Sequence, residues 1–289
     1  MTDQELLISS FRDLSPRYTA FAEEDDEDGN PIYLFSSFGF FTPEYDVYFE
    51  KSKSKVTALS VEEIKECLQR LPDDDVYPEI PTSTVTTFWG PIDERLFLKR
   101  LELNIVFIGT ALLPKLMLQE VETLELLLRM PHPNIIRYHG CLTKRGRIVG
   151  RVFDRHEMTL HQRLDRKMIR HIDVNRLMVE IGSALEHLHM LGLAHNDLNP
   201  MNIMIDDRNE TPYLIDFGSC RPFGCKLITA GTPGWIDEDY STSARINDET
   251  ALKKLRTWLM KAQEDLNVGT SDRKHIESQA SWTFGGAQA

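Results

Sequence analysis

The sequence predicts an α+β protein in which a small antiparallel sheet with one helix precedes a mostly helical half. Three observations carry this. Between residues 82 and 153, short runs of β-branched and aromatic residues alternate with turn signals. Within that stretch Met117, Val121, Leu124 and Leu128 repeat at helical spacing. Beyond residue 157 the apolar spacing is that of helices, led by Val174, Leu177, Ile181, Leu185 and Leu188.

Residues 1–81 precede this pattern as a separate N-terminal extension, regulatory or lobe-bracing. The run EEDDED at 23–28 reads as a solvated acidic turn, and the Phe- and Tyr-rich residues 32–49 suggest one or two strands. Ser60 starts a short helix, because its hydroxyl can cap the first turn while Glu63 reaches back, with Val61, Ile64, Leu68 and Leu71 on one face. Pro72 ends it, and the acidic, proline-rich PDDDVYPEIP leads to a boundary near Pro81.

In residues 82–153, Thr84–Trp89 and Arg95–Leu101 read as strands joined by a turn at Gly90–Pro91. The helix through Met117 stops at Pro131-His132-Pro133, and strands are expected at Ile135–Leu142 and Ile148–Phe153 around Lys144-Arg145-Gly146. In residues 157–267, Asp173 can cap a long helix that Gly192 terminates. Asn202–Ile205 and Tyr213–Ile215 form a hairpin, and a last helix runs from about Asp248 to Met260 with Leu252, Leu255 and Leu259 inward. Residues 268–289 have no apolar period and are expected to be disordered.

Composition narrows the function. With 45 acidic against 33 basic residues the formal net charge is −12, which argues against nucleic acid or an anionic membrane bound through bulk charge. The uncharged stretch Ile105–Pro114 is too short to span a bilayer, and the N-terminus lacks the regions of a signal peptide. The four cysteines, at 67, 141, 220 and 225, suit neither a disulfide framework nor a zinc site. A cytoplasmic or nuclear protein is the expectation.

The chemistry concentrates in HNDLNPMNIM, residues 195–204, where Asp197 and Asn202 lie five positions apart between a helix end and a hairpin. Asp216-Phe217-Gly218 follows fourteen residues after Asn202, just past a strand. Upstream stands Pro131-His132-Pro133-Asn134-Ile135-Ile136, and downstream Gly231-Thr232-Pro233-Gly234-Trp235. An isolated Asp-Phe-Gly is common by chance; the ordered set is not.

In this order and spacing the four signals resemble the eukaryotic protein kinase family, over about Thr84 to Met260. The phrases PNIIRYHGC and HNDLNPMNIM give a narrower resemblance to compact kinase-like proteins of filamentous fungi. The resemblance implies a bilobal fold with a shortened helical lobe, ATP and Mg²⁺ as cofactors, and a protein hydroxyl as acceptor. It makes Asp197 the catalytic base, and Asp216 and Asn202 the metal ligands. Lys99, in Phe97-Leu98-Lys99, matches the phosphate-binding lysine, or else is one surface lysine of a Lys99–Arg100 pair. Its partner would be Glu120 or Glu122.

Phe153 matches the residue guarding the adenine pocket, with Asp154 to His156 as the hinge; an ordinary strand end is the alternative. His195 and Phe217 match a stacked spine that Leu124 could continue, and Gly218 completes the metal turn. Asp248 matches the buried helix aspartate that pins the catalytic loop, or is a simple N-cap. Thr232 matches the threonine that bonds the catalytic aspartate in Ser/Thr members.

Departures from the family pattern matter as much. Only Gly90 lies between Pro81 and Lys99, so no glycine-rich phosphate loop is present. Asn196 replaces the arginine that pairs with activation-loop phosphate, which makes ordering by that route unexpected. Asn199 replaces a lysine that steadies the transferring phosphate; it can donate a hydrogen bond but adds no charge. Only 41 residues follow Asp248, and Ile236-Asp237-Glu238-Asp239 stands for Ala-Pro-Glu. A Ser/Thr-type protein kinase is therefore weighed against a pseudokinase scaffold and a small-molecule phosphotransferase.

Overall fold

The computed structural model describes residues 6–280 apart from 23, 83–84, 169–171, 230 and 238–239, with side chains to residue 266. The chain divides into two units, Met1–Glu125 with Tyr138–Phe153 and Leu126–Arg137 with Asp154–Ala289.

The first unit contains two sheets. Strands β1 (Arg17–Phe21), β2 (Tyr33–Phe41), β3 (Val47–Ser52) and β4 (Gln69–Arg70) pair antiparallel in that order. Residues 32–49 thus supply two strands, while β1 and β4 are additional to the sequence reading. Helix α1 (Val61–Cys67) closes over the sheet with the expected reciprocal cap, since Glu63 N donates to Ser60 Oγ at 3.2 Å and Ser60 N to Glu63 Oε2 at 2.7 Å. Its Ile64 is fully buried in a core with Leu6, Leu14, Phe38, Phe40 and Leu68. A single turn, α2 (Asp73–Val76), follows.

The second sheet has β5 (Leu96–Lys99), β6 (Tyr138–Lys144) and β7 (Arg147–Asp154) in the order β5-β7-β6. Helix α3 (Leu112–Arg129) lies between β5 and β6 in the chain, and buries Met117, Val121 and Leu124. Leu128 departs from the expected face: it is exposed and Leu127 is buried instead. Residues 86–88 do not form the expected strand. Thr87 makes an isolated parallel bridge to Cys141, while Glu125 accepts hydrogen bonds from Thr86 N and Thr86 Oγ1, both at 2.9 Å. A side-chain carboxylate takes the amide that would otherwise extend a ladder; Thr84 lies outside the described residues. The strand expected at Ile135–Leu142 begins at Tyr138.

The β6–β7 hairpin is tied to the N-terminal extension. Arg145 Nε donates to Asp73 Oδ2 at 2.8 Å and Arg145 Nη1 to Glu44 O at 2.6 Å, and Arg147 Nη1 donates to Tyr77 O at 2.8 Å.

The second unit is mainly helical. It contains β8 (Met158–Thr159), α4 (Leu160–Asp165), α5 (Val174–Met190), β9 (Leu193–Ala194), β10 (Ile203–Ile205), β11 (Pro212–Leu214), β12 (Arg221–Pro222) and α6 (Arg245–Ala280). Asp173 caps α5 by accepting from Arg176 N at 3.1 Å, and Gly192, at φ +76°, turns the chain past its end. Leu177, Ile181, Leu185 and Leu188 are buried, and α6 packs against α5 with Ala251, Leu255 and Leu259 inward. β10 and β11 form the expected hairpin, to which β8 adds on the other side of β10. The last helix begins three residues before Asp248 and runs to Ala280, so the backbone is helical into the stretch expected to be disordered. Residues 281–289 lie outside the described residues. Among the described residues no helix is long and apolar enough to cross a membrane.

Truncating Ile64 to alanine removes a fully buried side chain from the N-terminal core. The expected loss is about 2–5 kcal/mol, read as a lower midpoint in urea unfolding.

Candidate active site

The loop after β9 is organised by a carboxylate on α6. Asp248 lies inside the first turn of α6 and is completely buried. Its Oδ2 accepts from His195 N at 2.9 Å and His189 Nε2 at 2.8 Å, and its Oδ1 accepts from Asn196 N at 2.8 Å. Asn196 has φ +63°, a left-handed conformation that asparagine tolerates better than most residues. Its Nδ2 is within hydrogen-bond reach of Ala194 O (2.8 Å), Ser219 O (3.0 Å) and Ser243 Oγ (3.0 Å), and its Oδ1 accepts from Asn247 Nδ2 at 3.0 Å. A neutral amide therefore fills the position where the family pattern has arginine, and it links the loop to the segment after Gly218. His195 Nε2 donates to Ile215 O at 3.0 Å, and its ring meets Phe217 edge to face at 5.5 Å.

Asp197 leaves this base with both carboxylate oxygens engaged. Oδ1 accepts from Thr232 N (2.9 Å), Thr232 Oγ1 (2.8 Å) and Asn199 Nδ2 (3.2 Å), and Oδ2 accepts from Asn202 Nδ2 at 3.0 Å. Asn199, only 1 % exposed, also donates to Thr232 Oγ1 at 3.0 Å and accepts from Met201 N at 2.8 Å. Gly231 permits this approach, because a Cβ there would lie 2.5 Å from Ile236 Cγ2 and 3.0 Å from Asn196 O. Upstream, Asn134 Nδ2 donates to Pro212 O at 3.1 Å and Ile135 bridges Leu214, which docks the His-Pro-Asn-Ile stretch beside β11.

Asp216 follows β11 at φ +64°, and Gly218 N donates to its Oδ1 at 3.1 Å. A Cβ on residue 218 would sit 3.2 Å from that oxygen. The donor set of Asp216 and Asn202 fits Mg²⁺, which takes hard oxygens from one or two protein groups and completes its shell with water and phosphate. The Asn202 amide is turned so that Nδ2 serves Asp197, by bonds of 2.9 Å to its O and 3.0 Å to its Oδ2, and Oδ1 is the oxygen that could ligate a metal.

In the first unit, Lys99 Nζ donates to Glu120 Oε1 at 2.8 Å. Glu120 is buried and Glu122 is exposed. A residue outside the sequence reading completes the group: Arg151 Nη2 donates to Glu120 Oε2 at 2.9 Å. The signal for it was a lone charge in the apolar run IVGRVF. Leu124 is fully buried in the same unit, and Phe153 meets Tyr138 at 5.7 Å between ring centroids.

In the second unit, Asp154 N donates to Arg137 O at 3.1 Å, and the His156 ring stacks on Tyr213 at 4.4 Å. Burial pushes His156 below its ordinary range, against the opposing pull of Asp206. His132, beside Ser183 Oγ at 3.1 Å, is pushed the same way by burial and then by His187.

An Asp-x₄-Asn loop, an Asp-Phe-Gly turn and a lysine on a small sheet paired with a glutamate on α3 define a kinase-like protein. Residues 110–238 match the protein kinase domain family. The leaf rust 10 disease-resistance locus receptor-like protein kinase-like 1.4 of Arabidopsis thaliana is 28 % identical over 138 residues, covering 44 % of this chain and 21 % of that one. The serine/threonine-protein kinase/endoribonuclease IRE1 of Hypocrea jecorina (strain QM6a) is 27 % identical over 203 residues, 62 % of this chain and 15 % of that one. The solved Cydia pomonella granulovirus kinase PK-1 is similar at 18 % identity and a TM-score of 0.42, covering 48 % of this chain and 53 % of that one. The chain spans about a fifth or less of the length of these curated relatives, at 21 % and 15 %. Residues 110–238 are of the eukaryotic-type protein kinase family.

Two outcomes are expected of this geometry. Asn196→Ala removes the side-chain links and strains a left-handed residue, whereas Asn196→Gly removes the links alone. Both lower stability in urea unfolding, by about 1–3 kcal/mol for the lost buried bonds, with alanine the worse. Acid also destabilises the second unit. The unfolded chain takes up protons on His132 and His156 near their ordinary value of 6.5 while the folded chain resists, so stability falls as pH drops below 6.5. A His132→Asn, His156→Gln double variant loses less melting temperature than wild type between pH 7.5 and pH 5.

Proposed function

We propose that residues 82–267 act as a Ser/Thr-type protein kinase domain, transferring the γ-phosphoryl of Mg-ATP to a protein hydroxyl, with residues 1–81 as a lobe-bracing extension. The observation that carries this reading is the closed set of bonds on Asp197 from Thr232, Asn199 and Asn202. A carboxylate fixed in this way is oriented before substrate arrives, so little reorganisation is needed at reaction. Asp197 accepts the proton of the attacking hydroxyl, and Thr232 and Asn199 aim it. The serine/threonine preference rests on Thr232.

Mg-ATP, when bound, supplies the transferable phosphoryl group and shields its charge. Asp216 and Asn202 would hold the metal, Lys99 fixed by Glu120 would meet the phosphates, and the backbone from Asp154 to His156 would edge the adenine. The Arg145 and Arg147 bonds to residues 44–77 support the bracing role of the extension. A cytoplasmic or nuclear setting belongs to this reading.

A second reading, a nucleotide-binding scaffold, is favoured by one observation. Among the described residues, β5 pairs only with β7 in its sheet, without the hairpin that would carry a phosphate-covering loop.

The readings separate in a thermal shift with Mg-ATP followed by phosphoryl transfer to a generic basic protein. Ligand bound to the folded state raises the melting temperature. Wild type should shift only with Mg²⁺ present, and Asp216→Asn should not. Asp197→Asn should keep the shift and lose transfer by about 10²–10⁴-fold. A shift without transfer in wild type favours the scaffold, phosphate only on small hydroxyl compounds favours a small-molecule phosphotransferase, and no shift at millimolar ATP rejects all three.

A further inference from the structure

Helix α3 carries two buried carboxylates that face different partners, Glu120 and Glu125. Glu120 gives one oxygen to Lys99 on β5 and the other to Arg151 on β7, at 2.8 and 2.9 Å. Glu125 holds a different part of the unit. Its Oε1 accepts from Thr86 N at 2.9 Å and from Tyr138 Oη at 3.2 Å, and its Oε2 accepts from Thr86 Oγ1 at 2.9 Å. The segment so held is itself fixed to β6, since Cys141 N donates to Thr86 O at 2.7 Å and Phe88 N to Cys141 O at 2.8 Å. Gly140 leaves room for this crossing: a Cβ there would lie 2.7 Å from Thr86 O.

Burying a carboxylate is costly unless its oxygens are bonded, and Glu125 has three donors. Those bonds are directional, which apolar packing is not. Five helical positions set the two glutamates about 140° apart around the axis and about 7.5 Å apart along it. The bonds of Glu120 alone would let the helix pivot about one point. A second attachment at another angle and another height removes both rotation and sliding.

We propose that Glu125 is a positioning residue: it fixes the rotation and height of α3, so that Glu120 stays on Lys99 with no ligand bound. Its bonds to Thr86 and Tyr138 belong to one setting of the helix. Removing them shifts the population toward settings in which the Lys99–Glu120 pair is open. The part Lys99 plays toward a nucleotide rests on the function proposed above; the clamp on α3 does not.

The test is trace acetylation of the full chain without nucleotide, read by mass spectrometry as the rate at Lys99 divided by the rate at Lys115. Lys115 is exposed on the same helix and serves as the internal ruler. Glu125→Ala should raise the ratio about three- to tenfold, the worth of roughly one net hydrogen bond. Glu125→Gln keeps an acceptor for Thr86 N and should return the ratio most of the way to wild type. Glu120→Gln should raise it as well, and adding Glu125→Ala to that variant should raise it no further. Ile64→Ala, which weakens the N-terminal core instead, should leave it unchanged. If Glu125→Ala does not fold, Thr86→Val removes one donor of the clamp and is read in its place. An unchanged ratio in the clamp variant, an equal rise in Ile64→Ala, no rise in Glu120→Gln, or a further rise in the double variant would overturn the proposal. Wild type that shows the expected ratios but binds no Mg-ATP overturns the kinase reading alone.

Discussion

The backbone amides of His195 and Asn196 point into the interior, where no water can satisfy them, and the Asp248 carboxylate takes both. Leaving such donors unpaired costs about 1–3 kcal/mol each, so the loop has one arrangement rather than several. Everything downstream inherits that arrangement. With its amide held, Asn196 sits in a left-handed conformation and spends its side chain on Ser219, Ser243 and Asn247. The next residue, Asp197, then emerges beside Thr232 and Asn202. An anion anchored in a helix thus fixes a second anion, the one proposed as the base.

The two units solve their problems with different physics. In the second, the family's arginine gives way to an amide whose partners are hydroxyl, carbonyl and amide groups. In the first, an apolar strand gains an arginine whose partner is a carboxylate shared with Lys99. One departure removes a charge from the family pattern; the other places a charge inside an apolar strand.

Local signals in the sequence were strong where the controlling interaction was itself local. The Ser60–Glu63 cap, the Asp173 cap and the β10–β11 hairpin each depend on residues within a few positions. The strand expected from Thr84 failed for the opposite reason. Its β-rich composition is real, but Glu125, 39 positions away, captures the Thr86 amide. The pairing of Arg151 was invisible because its counter-charge lies 31 positions back on α3. Glu120 and Glu122 could not be told apart by spacing alone, since two residues along a helix change the face and the inward face depends on the sheet beneath. The length of α6 escaped because the sequence past residue 260 lacks the apolar stripe used to recognise helices.

The neutral character of the Asn196 hub bears on how the molecule responds to dissolved ions. Screening at physiological ionic strength acts over about 8 Å and damps fields between charges. Hydrogen bonds among amides, hydroxyls and carbonyls carry no net charge for it to damp. The exposed ion pairs Arg176–Glu180 and Arg245–Glu249, by contrast, meet solvent and are screened there. Concentrated salt therefore separates two properties that dilute buffer leaves entangled: the loop keeps its shape while the surface ion pairs loosen.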